Sequence, residues 1–96
     1  MSDCSKHKKE LFGESDMAKV AEAIGDLHYQ TLAELLAHLA DKLHADARKD
    51  AERGRKLLSE QLDDAAYVIA QAGDYIKDAY LICAPFMNDK TTKDNE

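Results

Sequence analysis

Residues 58–83 read LSEQLDDAAYVIAQAGDYIKDAYLIC, and this stretch decides the fold that the sequence predicts. Apolar residues recur along it in alternate steps of four and three, the spacing that keeps side chains on one face of an α-helix. Many positions on this seam are alanine, and small residues let a neighbouring helix approach closely. The stretch therefore predicts a long helix that packs along its length against other helices.

Both flanks of this seam are also apolar, with Val68 and Tyr75 on one side and Ala66 and Tyr80 on the other. Such a face is wider than one helix–helix contact, so the helix needs two neighbours. Leaving Val68 or Tyr75 in water would forfeit about 1.5–3 kcal/mol for each large side chain. The residues predicted to pack the bundle and its dimer interface are Leu58, Leu62, Ala65, Val68, Ile69, Ala72, Tyr75, Ile76, Ala79 and Tyr80.

An amphipathic pattern also precedes this stretch and predicts a first helix over residues 16–49. Its apolar residues, among them Val20, Ile24 and Leu43, fall in one arc of the helix. Ser15 or Asp16 can cap its first turn, because a short side-chain oxygen accepts a hydrogen bond from a free backbone N–H there.

A tight turn is predicted over residues 50–56, because Gly54 interrupts the two apolar patterns. The second helix then covers residues 56–84 and ends before Pro85, which disfavours the α conformation at the preceding residue. The alternative is one continuous helix through residue 84, since a glycine costs only about 1 kcal/mol inside a helix.

The predicted fold is therefore all-α, an antiparallel helical hairpin of two long helices over residues 15–87. The chain has 96 residues, and a single hairpin of this size leaves one flank of each helix in water. Two hairpins packed face to face give every helix two neighbours. We expect a homodimer that forms a four-helix bundle.

The two ends of the chain lie outside this hairpin. Residues 1–14 are predicted to form an N-terminal arm, with a short helical turn from Ser5 that closes at Gly13 in the left-handed conformation. Leu11 and Phe12 are expected to tether the arm to the body. Residues 88–96 are polar and are expected to be disordered.

The composition limits the classes of function. A formal net charge of −6 disfavours coating a nucleic acid or an anionic membrane. The sequence has no signal-peptide pattern and no apolar run near the roughly 20 residues that span a bilayer, so we expect a cytoplasmic protein with no membrane partner. Cys4 and Cys83 are then expected to be reduced thiols.

His28 is the first candidate for a special role, because it falls near the centre of the apolar arc of the predicted first helix. A buried imidazole needs a hydrogen-bond partner. We favour a core histidine satisfied by a tyrosine or a backbone carbonyl. The alternative is a buried pH-sensitive switch at the dimer interface.

Metal-ligand spacing occurs in two pairs on the first helix, each about one turn apart: Glu34 with His38, and Asp41 with His44. Both pairs fall mostly on the polar side of the helix, so we favour solvated side chains over a metal site. Cys4 and His7 have half of a zinc-binding spacing but no matching second pair.

A basic cluster interrupts this acidic chain near the turn and consists of Arg48, Lys49, Arg53, Arg55 and Lys56. It could contact phosphates or an acidic partner. Acidic residues are interleaved with it and no aromatic ring lies nearby for base stacking, so we favour a helix-end role.

These patterns favour assembly over catalysis. No phosphate-binding glycine loop or nucleophile motif is present, and we expect no enzymatic activity and no cofactor. The first hypothesis is a small homodimeric helical protein that binds another protein as an adaptor, inhibitor or regulator. The alternatives are a nucleic-acid-binding regulator that uses the basic cluster and a metal-binding helical bundle.

Overall fold

The computed structural model describes residues 7–87, which contain three helices and no β-strand. The helices are α1 (Met17–Gly25), α2 (Tyr29–Glu52) and α3 (Lys56–Met87). The all-α prediction is confirmed for this part of the chain. Cys4 and the tail predicted to be disordered, residues 88–96, lie outside the described residues.

Before α1 the chain makes a tight turn and not the short helix predicted for the arm. Leu11 and Glu14 exchange two backbone hydrogen bonds of 2.9 Å. Between them, Phe12 and Gly13 have φ values of 51° and 81°, so the left-handed conformation predicted for Gly13 is confirmed. Two successive residues at positive φ are incompatible with a right-handed helix, and this explains why the predicted helical turn is wrong over residues 7–14.

The single first helix predicted over residues 16–49 is also wrong, because the chain breaks between α1 and α2. Asp16 caps α1 as predicted, and its Oδ1 accepts from the N–H of Ala18 at 3.0 Å. His28 then caps α2, its Nδ1 accepting from the N–H of Gln30 at 3.1 Å. Gly25 and Asp26 are poor helix formers, so ending the helix there costs little once His28 supplies a new cap.

The turn between α2 and α3 is shorter than predicted and occupies residues 53–55. Gly54 has a φ of 82°, its N–H donates to the Ala51 carbonyl, and the N–H of Arg55 donates to the Asp50 carbonyl at 2.8 Å. This pair of bonds around a left-handed glycine is the Schellman motif that terminates helices. The alternative of a continuous helix through residue 84 is therefore wrong.

The end of α3 lies beyond the predicted one. The helix passes through Pro85 and ends at Met87, whereas residue 84 was the expected last position. A proline in the last turn removes only one backbone donor from the helix, which is a smaller loss than in the interior.

The second and third helices lie side by side and antiparallel. His28 lies near Tyr80, with ring centroids 5.3 Å apart, and His44 Nδ1 lies 2.9 Å from Asp63 Oδ1 further along. The molecule measures 55 × 27 × 13 Å, and its radius of gyration is 16.9 Å, against about 12 Å for a compact domain of this size. It is one layer of helices thick.

Candidate functional site

The core of this layer contains almost no large side chains. Four apolar residues of the described chain are buried, and all are alanines: Ala33, Ala40 and Ala47 on α2 and Ala66 on α3. None of the described larger apolar side chains is fully buried. A single layer has no second layer to cover its faces, so its leucines and isoleucines are half-buried or exposed.

The two faces of the layer differ in chemistry. At about 100° per residue, the leucines of α2 lie on one side of the line of buried alanines, and Asp41 and His44 lie on the other. Asp41 and His44 line one shallow pocket with Asp74 and Lys77 of α3, so the polar sides of both helices share a face. The opposite side forms what we call the apolar face, made of Leu32, Leu35, Leu36, Leu39, Leu43, Leu58, Leu62, Ala65, Ile69, Ala72 and Ile76.

The line of α3 that contacts α2 is not the predicted seam. It passes through Ser59, Ala66 and Gly73, which are buried and lie on one flank of that seam. The seam positions Leu58, Leu62, Ile69, Ile76 and Ala79 are half-buried with Tyr80, and Ala65 and Ala72 are exposed. Val68 is 59% exposed and Tyr75 is 75% exposed. Contact with α2 therefore covers one flank of α3 and leaves the other open.

An apolar groove continues the apolar face at the α1 end of the layer. It has a volume of about 510 Å³ and is lined by the N-terminal turn, by α1 and by Leu35 of α2. Phe12 at its rim is 98% exposed, so the expectation that Phe12 tethers the arm to the body is wrong. The other lining residues are Leu11, Glu14, Lys19, Val20, Ala23, Ile24 and Leu27.

His28 occupies a different position from the predicted one. It caps α2 with its ring exposed and tilted against Tyr80, whereas a buried position inside a continuous helix was expected. A tyrosine or a backbone carbonyl was the predicted partner of this imidazole, whereas its Nδ1 accepts a hydrogen bond from the backbone N–H of Gln30.

The four residues with metal-ligand spacing do not converge. His44 bonds to Asp63 of α3 at 2.9 Å, while Glu34, His38 and Asp41 are exposed on α2. Among residues 7–87, no group of three or more His, Cys, Asp or Glu side chains is arranged to hold a metal ion. Cys83 is a half-buried free thiol on α3.

The basic cluster divides into one structural residue and four exposed ones. The guanidinium of Arg55 donates to Asp50 Oδ1 at 2.9 Å, and both side chains are largely covered. Arg48, Lys49, Arg53 and Lys56 are exposed around the turn, together with the acidic Glu52. The ion pair between Arg55 and Asp50 thus stabilises the conformation of the turn.

Comparison with protein-family models, with curated proteins and with solved structures finds no match to this chain. No helix in the described part of the chain combines the length and the apolar character needed to cross a membrane.

The groove and the Asp50–Arg55 pair are the features that sequence reasoning missed. Gly25 followed by Asp26 was the available signal for the break that creates the groove, because both residues have low helix propensity. No comparable signal in the sequence indicated the ion pair, because Asp50 and Arg55 lie among several other charged residues near the turn.

Proposed function

We propose that this protein is a non-enzymatic homodimer that acts through protein–protein interaction, as an adaptor, inhibitor or regulator. In this proposal α2 and α3 form a helical hairpin, and two hairpins pair through their apolar faces into a four-helix bundle. The observation that carries the proposal is the apolar face of a layer whose fully buried apolar side chains, among the described residues, are all alanines.

Part of the apolar face remains exposed to water in the single chain. Leu35 is 38% exposed and Leu39 is 42% exposed, and both belong to the apolar face. A contiguous apolar surface of this kind is typical of a protein–protein contact. Covering this surface stabilises the dimer by roughly 25 cal/mol for each Å² of apolar surface removed from water.

A second copy of the chain is a suitable cover. The apolar face combines large residues on both helices with Ala65 and Ala72 on α3, so large side chains of one copy can fill the space above small ones of the other. Two-fold pairing uses the same patch on both copies, which requires this type of self-complementarity.

Light scattering coupled to size-exclusion chromatography tests the dimer directly. The wild-type chain is expected at twice its 10.7 kDa mass at micromolar concentration. Leu39→Glu places a charge on the apolar face and is expected to shift the protein to monomer. Leu81→Glu is the matched control, because Leu81 is 65% exposed on the other side of α3 and its substitution should leave the dimer intact.

A wild-type protein that stays monomeric at these concentrations would contradict the dimer. Equal dissociation by Leu39→Glu and Leu81→Glu would contradict the assignment of the interface to the apolar face.

A further inference from the structure

The seam predicted on α3 combines large and small residues in a symmetric order. Large residues and alanines alternate along it, and its members are spaced evenly about a point between residues 70 and 71. Reversing the direction of such a seam places every large residue opposite a small one. We call this set the α3 seam, and it consists of Leu58, Leu62, Ala65, Ile69, Ala72, Ile76, Ala79 and Cys83.

Four leucines of α2 have the same kind of symmetry. Leu32 and Leu43 are equally far from a point between residues 37 and 38, and so are Leu36 and Leu39. A surface with this spacing matches a second copy of itself that runs in the opposite direction.

The two centres of symmetry lie at the same level of the layer. His44 of α2 contacts Asp63 of α3, and His28 contacts Tyr80, so the numbers of facing residues add to 107 and 108. The point between residues 37 and 38 is therefore level with the point between residues 70 and 71. A single two-fold axis across the layer passes through both points.

The α3 seam is also directed toward the place of a second layer. At 100° per residue, its members lie about 70° around α3 from the line of Ser59, Ala66 and Gly73 that contacts α2. The four α2 leucines lie at a similar angle from the buried alanines of α2. In a four-helix bundle the two neighbours of a helix lie about a quarter turn apart, so both sets of residues point at a stacked layer.

We propose that two copies stack face to face in opposite directions, so that the α3 seam of one copy packs on the α3 seam of the other. The α2 leucines of the two copies pack on each other in the same way. This inference rests on the homodimer proposed above and adds its orientation and register. The facing pairs on α3 are Leu62 with Ala79, Ile69 with Ala72, Ile76 with Ala65, and Leu58 with Cys83.

This register also shelters exposed residues at the edge of the apolar face. Val68 is 59% exposed and Tyr75 is 75% exposed. Val68 of one copy comes within about 3 Å, along the helix axis, of the level of Tyr75 of the other. The stacked area is about 38 Å long and two helices wide, or roughly 750 Å². A standard specific interface buries about 800 Å² on each partner.

Stacking in the same direction fits the side chains less well. A two-fold axis along the helices would place α2 of one copy on α3 of the other and leave the levels unchanged. Leu58 would then be level with Asp50 of the other copy, and Leu62 with Asp46. In opposite directions these two leucines meet Cys83 and Ala79, so they are covered by apolar groups and not by carboxylates.

A disulfide between Leu58→Cys and the native Cys83 tests the register in the full-length chain. The background carries Cys4→Ser, which leaves these two thiols alone. Within one chain the two positions are 25 residues apart on α3, or about 38 Å, so the bond can form only between copies. Under mild oxidation we expect most of the protein to run at twice its 10.7 kDa mass on a non-reducing gel. Leu57→Cys, at a neighbouring position that is 78% exposed, is the matched control and should remain largely monomeric on that gel.

Ala65→Cys in the same background detects a shift of the register. This position lies seven residues after Leu58 on the α3 seam, and it meets Cys83 only if the copies slide by about two turns. A cross-link from Ala65→Cys in place of Leu58→Cys would overturn the proposed register.

Distances between spin labels on the two copies test the orientation without a cross-link. Gln71→Cys and Asp78→Cys, each made with Cys4→Ser and Cys83→Ala, place a label on exposed positions outside the α3 seam. In the proposed pair Gln71 lies beside the axis, whereas the two Asp78 positions are about 22 Å apart along the helices. The 78-to-78 distance should therefore exceed the 71-to-71 distance by at least about 5 Å.

The failures of the two proposals are distinguishable. Equal distances at both label positions, together with no cross-link from Leu58→Cys, would overturn the orientation while leaving the homodimer in place. A monomeric mass in light scattering would overturn the homodimer itself.

Discussion

Asp50 and Arg55 are joined twice across the turn between α2 and α3. The N–H of Arg55 donates to the Asp50 carbonyl at 2.8 Å, and the guanidinium Nη1 of Arg55 donates to the Asp50 carboxylate at 2.9 Å. The Asp50 side chain is only 12% exposed, and that of Arg55 is 27% exposed. The backbone bond ends α2, and the side-chain bond holds the last residue of the turn against the end of that helix.

Asp50→Ala is expected to lower the free energy of unfolding by about 1–3 kcal/mol, because it leaves the partly buried guanidinium without its acceptor. Asp50→Asn keeps a hydrogen-bond acceptor but removes the charge, and a smaller loss is expected. Urea unfolding followed by circular dichroism, at one fixed protein concentration, measures the difference.

The control for this prediction is Asp46→Ala. Lys42, the partner of Asp46, is 66% exposed, so this ion pair is worth less than about 1 kcal/mol. Equal losses for Asp50→Ala and Asp46→Ala would show that the turn does not depend on its ion pair.

Gly54→Ala is expected to destabilise the protein by about 1–2 kcal/mol, since an alanine is strained at a φ of 82°. Gly25→Ala is the matched change at a glycine with helical backbone and no neighbour within 4 Å of the added Cβ. It is expected to be neutral or stabilising by up to about 1 kcal/mol. The free energies of unfolding of the two variants, measured by thermal or urea denaturation, should therefore lie on opposite sides of the wild-type value or differ by at least about 1 kcal/mol.

His28→Ala is expected to cost about 1 kcal/mol through the loss of the cap on α2. His28→Asn keeps an acceptor at the same position and should recover most of this stability. The comparison separates capping from the ring contact with Tyr80, because asparagine restores only the cap. If the two variants were equally unstable in urea, the contact with Tyr80 would be the important interaction.

Phe12→Asn is expected to weaken dimerisation without unfolding the chain. Phenylalanine is strained at a φ of 51°, whereas asparagine tolerates this conformation, so the turn itself should be no less stable. Because the groove continues the apolar face, losing a phenylalanine at its rim should raise the dimer dissociation constant about tenfold or more. Sedimentation equilibrium of Phe12→Asn beside Tyr67→Asn, which lies outside the groove and is 62% exposed, provides the measurement. An unchanged constant for Phe12→Asn would place the groove outside the interface.

Periodicity predicted the long helices because it reflects which side chains avoid water, and Gly54 marked the turn because few residues other than glycine accept its φ. Periodicity did not reveal the break after Gly25, since Ile24 and Leu27 keep the apolar spacing across it. The cap that makes the break favourable is a histidine, a residue seldom associated with capping.

The sequence also did not predict which line of residues on α3 contacts α2. The apolar arc of this helix is wide enough that several lines could face α2, and the line that does so passes through Ser59, Ala66 and Gly73. Val68 and Tyr75, which the sequence places in the dimer interface, are exposed in the single chain and lie outside the apolar face. The groove was not foreseen, because it depends on the direction that α1 takes after the break.

The buried alanines of α2 recur every seven residues, at Ala33, Ala40 and Ala47, so the fully covered apolar side chains of this helix are single methyl groups. Methyl groups alone bring little hydrophobic free energy to a chain that must still lose its conformational entropy. In the proposed dimer, pairing therefore contributes to the stability of each chain, and the thermal midpoint rises with protein concentration. The amount of protein present would then decide how much of it is folded.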